Sequence, residues 1–426
     1  MKRIVVLALL IALATPLAFS GGRTEAATDV TQITWQVWVT PNLTREFWDG
    51  IVTAFEARNP DIRVQIIEAN PAVTPSADDF IKTRLAAGDV PDLMWNLTVP
   101  FFADAGHLWP LPVDDPDLQR IPNLMDAAYN GEVYAIPATI QPQGLIYYNK
   151  NLWARAGLTD TPNTWAEFEA ACARLKAAGI TPIITGGEWV AGYVFVTLTS
   201  PEIFSRNTSW YADRWDNTVR FTDPDWVEAA SAFKHLVDNE YFNRGALSVG
   251  YADLEQQFLA GRAAMYPMGS WFSAAEANAD KDFEVGVFYA PTKDGNAHLL
   301  QSLSYGTGGT IYAGSKNPEA AFNLLKFALL DPEFGGQFLE VDGLFSALDP
   351  PIEYPMTQLQ LDIMDLVLRA ETTSGLYNLK VGAMPPAGLT DVYDRVGQAL
   401  LAGTVTDVTR VLQDLDSFWD QAERPR

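Results

Sequence analysis

The stretch Gln32-Ile-Thr-Trp-Gln-Val-Trp-Val39 decides the fold. Ile33, Trp35, Val37 and Val39 fall at alternate positions, the period-two pattern of a strand with one buried face. Thr40 then offers a helix cap and Pro41 a first helical position, after which Phe47, Ile51 and Phe55 recur every fourth residue until Pro60. Ile62, Val64 and Ile66 predict a second strand. Ala77–Ala87 reads as a helix closed by Gly88, and Val90–Trp95 as a third strand. Strand, helix, strand, helix, strand in that order requires helical crossovers and a parallel sheet.

The same alternation returns downstream. Leu145–Asn149 reads as a strand, and Thr164 with Glu167 forms a capping box for a helix that carries Phe168, Cys172 and Leu175 and ends at Gly179. Phe283–Tyr289 predicts another strand, Asn317-Pro318 starts a helix to Leu330, and the chain from Thr357 onward is mostly amphipathic helix. Two α/β units without a linker between them predict two lobes that the chain crosses more than once.

Composition narrows the function. The 426 residues carry 53 acidic and 29 basic side chains, a net charge of −24, which excludes general binding to nucleic acid. Cys172 is the single cysteine, so no intrachain disulfide forms, and with three histidines there is no Cys/His zinc cluster. Lys2 and Arg3 precede an apolar run from Ile4 to Leu17 and small residues at Ala18, Ser20, Gly21 and Gly22. This pattern predicts a cleaved secretory signal peptide over residues 1–27. No cysteine sits at the exit of the apolar run, so a lipid-anchored cysteine start is excluded and an exported protein is expected.

Chemistry is harder to find. His107, His235 and His298 are scattered, no Ser occupies a Gly-x-Ser-x-Gly elbow, and His298 sits in a polar stretch after Asp294-Gly295, so each histidine is read as a surface or packing residue. Gly306-Thr-Gly-Gly309 lacks the Lys-Ser/Thr of a phosphate loop and reads as a tight turn. Asp114-Asp-Pro-Asp117 lacks EF-hand spacing and reads as a solvated loop. No catalytic residue, metal or cofactor is expected.

Several segments together resemble the extracellular solute-binding proteins of ABC importers, in the sugar-binding family that includes maltose-binding protein. They are Phe55–Val64, the Ala86-Ala-Gly-Asp-Val-Pro-Asp-Leu93 step, Gly131–Pro137 with Leu145–Lys150, Thr161-Pro-Asn-Thr-Trp-Ala-Glu-Phe168, Phe258–Met265 with Met268-Gly-Ser-Trp271, and Ser315–Ala321. The C-terminal hundred or so residues match only in helical character. The resemblance implies a type II periplasmic-binding-protein fold: two α/β lobes, each a mostly parallel sheet flanked by helices, joined by crossing segments near Pro137–Gln143, Tyr289–Lys293 and Val341–Ala347. It places residues 28–140 and 290–345 in an N-terminal lobe and 141–289 and 346–426 in a C-terminal lobe. It also implies a free periplasmic form, since the lipid-anchored cysteine of many family members is missing at the exit, and a monomer that closes on a carbohydrate ligand and presents it to the transmembrane subunits of an ABC permease.

A sugar offers an apolar ring face and a rim of hydroxyls, so a site needs aromatic platforms and hydrogen-bonding groups. Trp38 is out of phase with Trp35 at the end of the first strand, and Asn96 follows the third. Gln141 and Gln143 fall on the first crossing, and Glu188-Trp189 interrupts a glycine-bearing loop. Trp271 matches the family's stacking tryptophan, and Tyr305 borders the Gly-rich turn. These eight are the expected ligand-binding residues. A secreted glycosidase built on acids such as Glu188 or Asp253, and a binding protein for a non-sugar solute, are the competing readings.

Overall fold

The computed structural model describes residues 30–70, 74, 76–122, 124–303, 308–374, 385–386 and 388–424, so the expected signal peptide and Tyr305 lie outside the described residues. Within these the strands are β1 (Thr31–Trp38), β2 (Ile62–Ala69), β3 (Leu93–Trp95), β4 (Thr139–Gln143), β5 (Leu145–Asn149), β6 (Met265–Met268), β7 (Val285–Tyr289), β8 (His298–Leu303), β9 (Gly309–Ile311), β10 (Phe345–Ser346) and β11 (Thr372–Ser374).

The first sheet runs β2-β1-β3-β9. β1 is parallel to β2 and β3, with helical crossovers Arg45–Arg58 and Ala77–Ala87 between them, and β9 closes the edge antiparallel. Ile33, Trp35 and Val37 are buried as their alternation requires. Trp35, Trp48 and Trp95 meet edge to face with ring centroids 5.0–6.1 Å apart, and Phe338 comes within 5.6 Å of Trp95. Such offset contacts add to the area these rings bury.

Two local expectations are corrected here. The first helix is capped by Thr44, whose hydroxyl accepts from Phe47 N at 3.3 Å, rather than by Thr40. Thr40 Oγ1 accepts from Leu43 N at 3.0 Å instead, so residues 40–43 make a turn before the helix begins. The third strand starts at Leu93 rather than Val90, because Pro91 has no N–H to give a ladder.

The second sheet runs β6-β5-β7, and its central strand is antiparallel to both neighbours, whereas parallel pairing recurs between β8 and β11 of a further sheet. The chain enters this sheet from β4 directly through Gly144, without a crossover helix. Around this sheet lies the larger hydrophobic core, holding Phe168, Cys172 and Leu175 from the capped helix Trp165–Ala177 and extending to the C-terminal helices Leu389–Leu401 and Val408–Gln421. Helix Glu188–Phe204 runs through it, buried on nearly every face. The helix Leu389–Leu401 crosses it so closely that a Cβ on Gly397 would lie 2.3 Å from the Ala191 carbonyl oxygen, a separation only glycine permits.

Between the bodies lies a third sheet, β10-β4-β8-β11. Ala138, just before β4, packs in the first core, whereas Leu299 and Leu300 of β8 and Phe345 of β10 pack in the second. Of the surface and packing roles expected for it, His298 takes packing: it is a strand residue with no exposed surface, its Nδ1 2.5 Å from Thr372 Oγ1.

Candidate functional site

β6 ends at Met268, and the turn Gly269-Ser270 leads into Trp271, which precedes the helix Phe272–Asn278. The turn is held from two sides. Tyr147 Oη donates to the Gly269 carbonyl at 3.0 Å, and Ser270 N donates to the Pro142 carbonyl of β4 at 2.9 Å. The second bond ties the Trp271 turn to the crossing strand that carries Gln141 and Gln143. Gln143 Nε2 donates to Gln141 Oε1 at 3.2 Å, while Gln143 Oε1 is buried without a hydrogen-bond partner. An unpaired buried acceptor costs about 1–3 kcal/mol and is a ready seat for a ligand hydroxyl.

Beside this turn stand three more aromatic rings. Trp189 lies 6.4 Å from Trp271 and 5.1 Å from Tyr251, and Tyr193 lies 5.7 Å from both tryptophans. Trp189, Tyr251 and Trp271 are half-buried, so each keeps some surface for stacking. Glu188 and Trp189 do not interrupt a loop: they form the first turn of the helix Glu188–Phe204, with Gly187 as its cap. That correction brings in Tyr193, one helical turn beyond Trp189 on the same face. Glu188 has left-handed backbone, φ 53°, and is exposed, with its Oε1 close to Gly250 beside Tyr251.

Trp38 and Asn96 lie on the first body. The parallel register pairs Gln36 with Met94, which places Trp38 and Asn96 side by side at the carboxyl ends of β1 and β3. Both are half-buried, and Asn96 also has left-handed backbone, φ 65°. Asn42, from the turn after β1, reaches the second body, where its Nδ2 donates to the Trp271 carbonyl at 3.0 Å; the same Nδ2 donates to Asp342 Oδ1, at the end of a first-body helix, at 3.3 Å. A groove of about 760 Å³ runs along this seam, lined by Asn42, Phe47, Glu255, Leu259, Ala275 and Val341.

Thus Gln141, Gln143, Glu188, Trp189 and Trp271 gather on one side, Trp38 and Asn96 share a strand end on the other, and Tyr305 is outside the described residues. Tyr193, Tyr251, Asn42, Glu255 and Asp342 were not foreseen. Asn42 was hidden by the helix start assigned to Thr40-Pro41. The histidines stay apart: His107 follows the helix Val99–Asp104 in the first body, its carbonyl accepting from Ala313 N beyond β9, His235 is exposed and contacts Asn239, and His298 is in β8. Among the described residues no group of three or more His, Cys, Asp or Glu side chains is arranged to hold a metal ion. Asp115 and Asp117 of the acidic run are engaged by Lys326 at 2.8 and 3.1 Å.

The sequence model for bacterial extracellular solute-binding proteins matches residues 40–333. The multiple sugar-binding protein of Streptococcus mutans is 28% identical over 307 residues, covering 69% of this chain and 70% of that protein. Among solved structures, a chitin oligosaccharide binding protein superposes with a TM-score of 0.77 at 24% identity, covering 92% of this chain and 99% of the other. The solute-binding protein RafE in complex with raffinose superposes with a TM-score of 0.72 at 23% identity, covering 92% and 99%. These likenesses establish the two-lobed α/β solute-binding fold.

Proposed function

Since this chain belongs to the bacterial extracellular solute-binding protein family, we propose that it captures a mono- or oligosaccharide between its lobes and delivers it to an ABC permease from the periplasm, as a monomer and without turnover. The observation that carries this reading is the four-ring cluster of Trp189, Tyr193, Tyr251 and Trp271 set beside the unpaired Gln143 acceptor. Half-buried rings suit the apolar face of a sugar, and amide and carboxylate groups suit its hydroxyls. The Streptococcus mutans relative, a multiple sugar-binding protein, supports the same class of ligand.

The ligand residues are Trp38, Asn96, Gln141, Gln143, Glu188, Trp189, Trp271 and Tyr305, with Tyr193 and Tyr251 added from the ring cluster. The lobes are residues 28–140 with 290–345 and residues 141–289 with 346–426, β8 carrying Leu299 and Leu300 across to the second core. Residues 1–27 direct export and are removed. The test is calorimetric titration against a panel of neutral mono- and oligosaccharides, followed by chromatography of the ligand after prolonged incubation. Saturable binding of at least one saccharide, recovered unchanged, is expected; steady product formation would make the protein a glycosidase.

A further inference from the structure

Among the described residues, the seam between the lobes holds two carboxylates with no cation paired to either. Asp342 follows the helix Phe334–Val341, whose Phe338 and Leu339 belong to the first core, and Glu255 is on the helix Tyr251–Leu259, whose Leu254 and Phe258 belong to the second. Both side chains are buried. Asn42 donates to Asp342, and the Tyr251 hydroxyl donates to Glu255 Oε2 at 3.4 Å. Ser273 Oγ, fully buried and without a partner, lies 2.6 Å from where a Cβ on Gly343 would be, so it faces the turn that carries Asp342.

Among the described residues, the other titratable groups near the pair are Tyr251 on the helix of Glu255, Tyr266 on β6 and Asp280, which lines the same groove as Glu255, none of them a cation. Cations on neighbouring segments are engaged elsewhere: Lys281 pairs with Glu276 at 2.7 Å, and Arg45 pairs with Asp49 at 3.0 Å. Two buried carboxylates brought from different lobes to one seam repel each other, and the inexpensive relief is a proton on one of them.

We propose that closure of the lobes is coupled to uptake of a proton by the Glu255–Asp342 pair, with Asn42 as the latch that joins the seam to Trp271. This rests on the reading of the chain as a closing binding protein. Burial pushes the Glu255 carboxyl up to about 7 against the Tyr251 hydrogen bond. Burial likewise pushes Asp342 to about 7, with Glu255 repelling it further and the Asn42 amide opposing the rise. When the seam opens, water returns and both groups revert toward ordinary carboxylate values. The closed form therefore binds the extra proton, and closure is favoured as pH falls through about 7 and disfavoured as pH rises above it.

The full mature chain is studied at about pH 6 and about pH 8 by small-angle scattering without ligand, and by titration with a neutral saccharide from the panel in buffers of different ionisation enthalpy. The wild type should have a smaller radius of gyration at the lower pH, take up protons on binding, and bind about three- to tenfold more weakly at the higher pH. Glu255→Gln and Asp342→Asn should each flatten these trends while still binding. Asn42→Ala should weaken binding at both pH values and keep the slope. Equal pH dependence in wild type and both carboxamide variants overturns the coupling, as does binding without proton uptake. If no saccharide binds, the sugar reading fails by itself. The radius of gyration still decides the coupling: the same value at both pH values overturns it.

Discussion

Arg214 and Asp416 form an ion pair inside the second core, their charged atoms 3.1 Å apart and the arginine side chain 0% exposed. Asp416 also accepts from Phe221 N and Thr222 N at 3.0 Å each, and from Thr222 Oγ1 at 2.8 Å. Arg214 lies over the Trp419 ring at 5.6 Å and bonds to Asn217 and Asp420. The C-terminal helix is thereby fastened to the loop before helix Pro224–Asp238. Asp416→Ala removes one partner and strands two backbone N–H groups, which should cost roughly 3–5 kcal/mol. A urea melt measures it, and a loss below about 1 kcal/mol would contradict the arrangement.

Trp271→Ala should weaken binding of the cognate saccharide about ten- to a hundredfold, the equivalent of roughly 1.5–3 kcal/mol of buried ring face. Titration and a urea melt on the same variant separate two roles. If affinity is unchanged while stability drops by roughly 3–5 kcal/mol, Trp271 is a core residue only.

His298 should make the fold acid-sensitive. Burial lowers its pKa to about 4, so the folded chain holds the ring neutral while the unfolded chain protonates it near its ordinary value of about 6.5. Its stabilising contribution is present above about pH 6.5 and is lost as pH falls toward 4, by roughly 2–4 kcal/mol. Glu255, Asp342 and Asp394, raised to about 7, 7 and 8 mainly by burial, act the opposite way as pH falls. The wild-type curve alone therefore mixes both signs. Urea melts of wild type and His298→Asn at several pH values isolate the histidine. A difference between them that stays constant with pH would remove it from the account.

Gly397→Ala should destabilise the second lobe by roughly 1–3 kcal/mol, since its Cβ would meet the Ala191 carbonyl oxygen at 2.3 Å. Thermal unfolding measures this; an unchanged melting temperature would mean that the two helices separate at no cost.

Cys172 should be inert to thiol reagents until the chain unfolds. It is fully buried, and burial, helped by the charge of Glu169, pushes its thiol well above the ordinary range. Colour development with a disulfide reagent should follow the urea unfolding curve. Stoichiometric reaction of the native protein would show that the helix Trp165–Ala177 opens locally.

What could be read in advance followed from how far each signal reaches along the chain. The alternation in β1 and the capping box at Thr164 and Glu167 are local devices, visible because one face is buried and one cap is chemically specified. Thr40-Pro41 satisfies the same local rule as a true cap, and only the bond from Leu43 N to Thr40 Oγ1 reveals a turn. Helix Glu188–Phe204 escaped notice because burial on nearly every face leaves no 3.6-residue contrast, and its Gly186-Gly187 entry reads as loop. The Asn42–Asp342 contact joins residues 300 positions apart, which no window on the sequence spans.

That same helix has a consequence for the order of assembly. Residues Glu188–Phe204 have an apolar surface on almost all sides, and part of its cover, the helix Leu389–Leu401, is made nearly two hundred residues later. Until that segment arrives, a sticky cylinder stands without its sheath. The second lobe is therefore the late-maturing half, its completion delayed by a long-range pairing that slows folding and prolongs exposure to aggregation. A chain shortened before Leu389 would leave Ala191 and Gly192 uncovered and keep Trp189, at the start of the same cylinder, from a settled position.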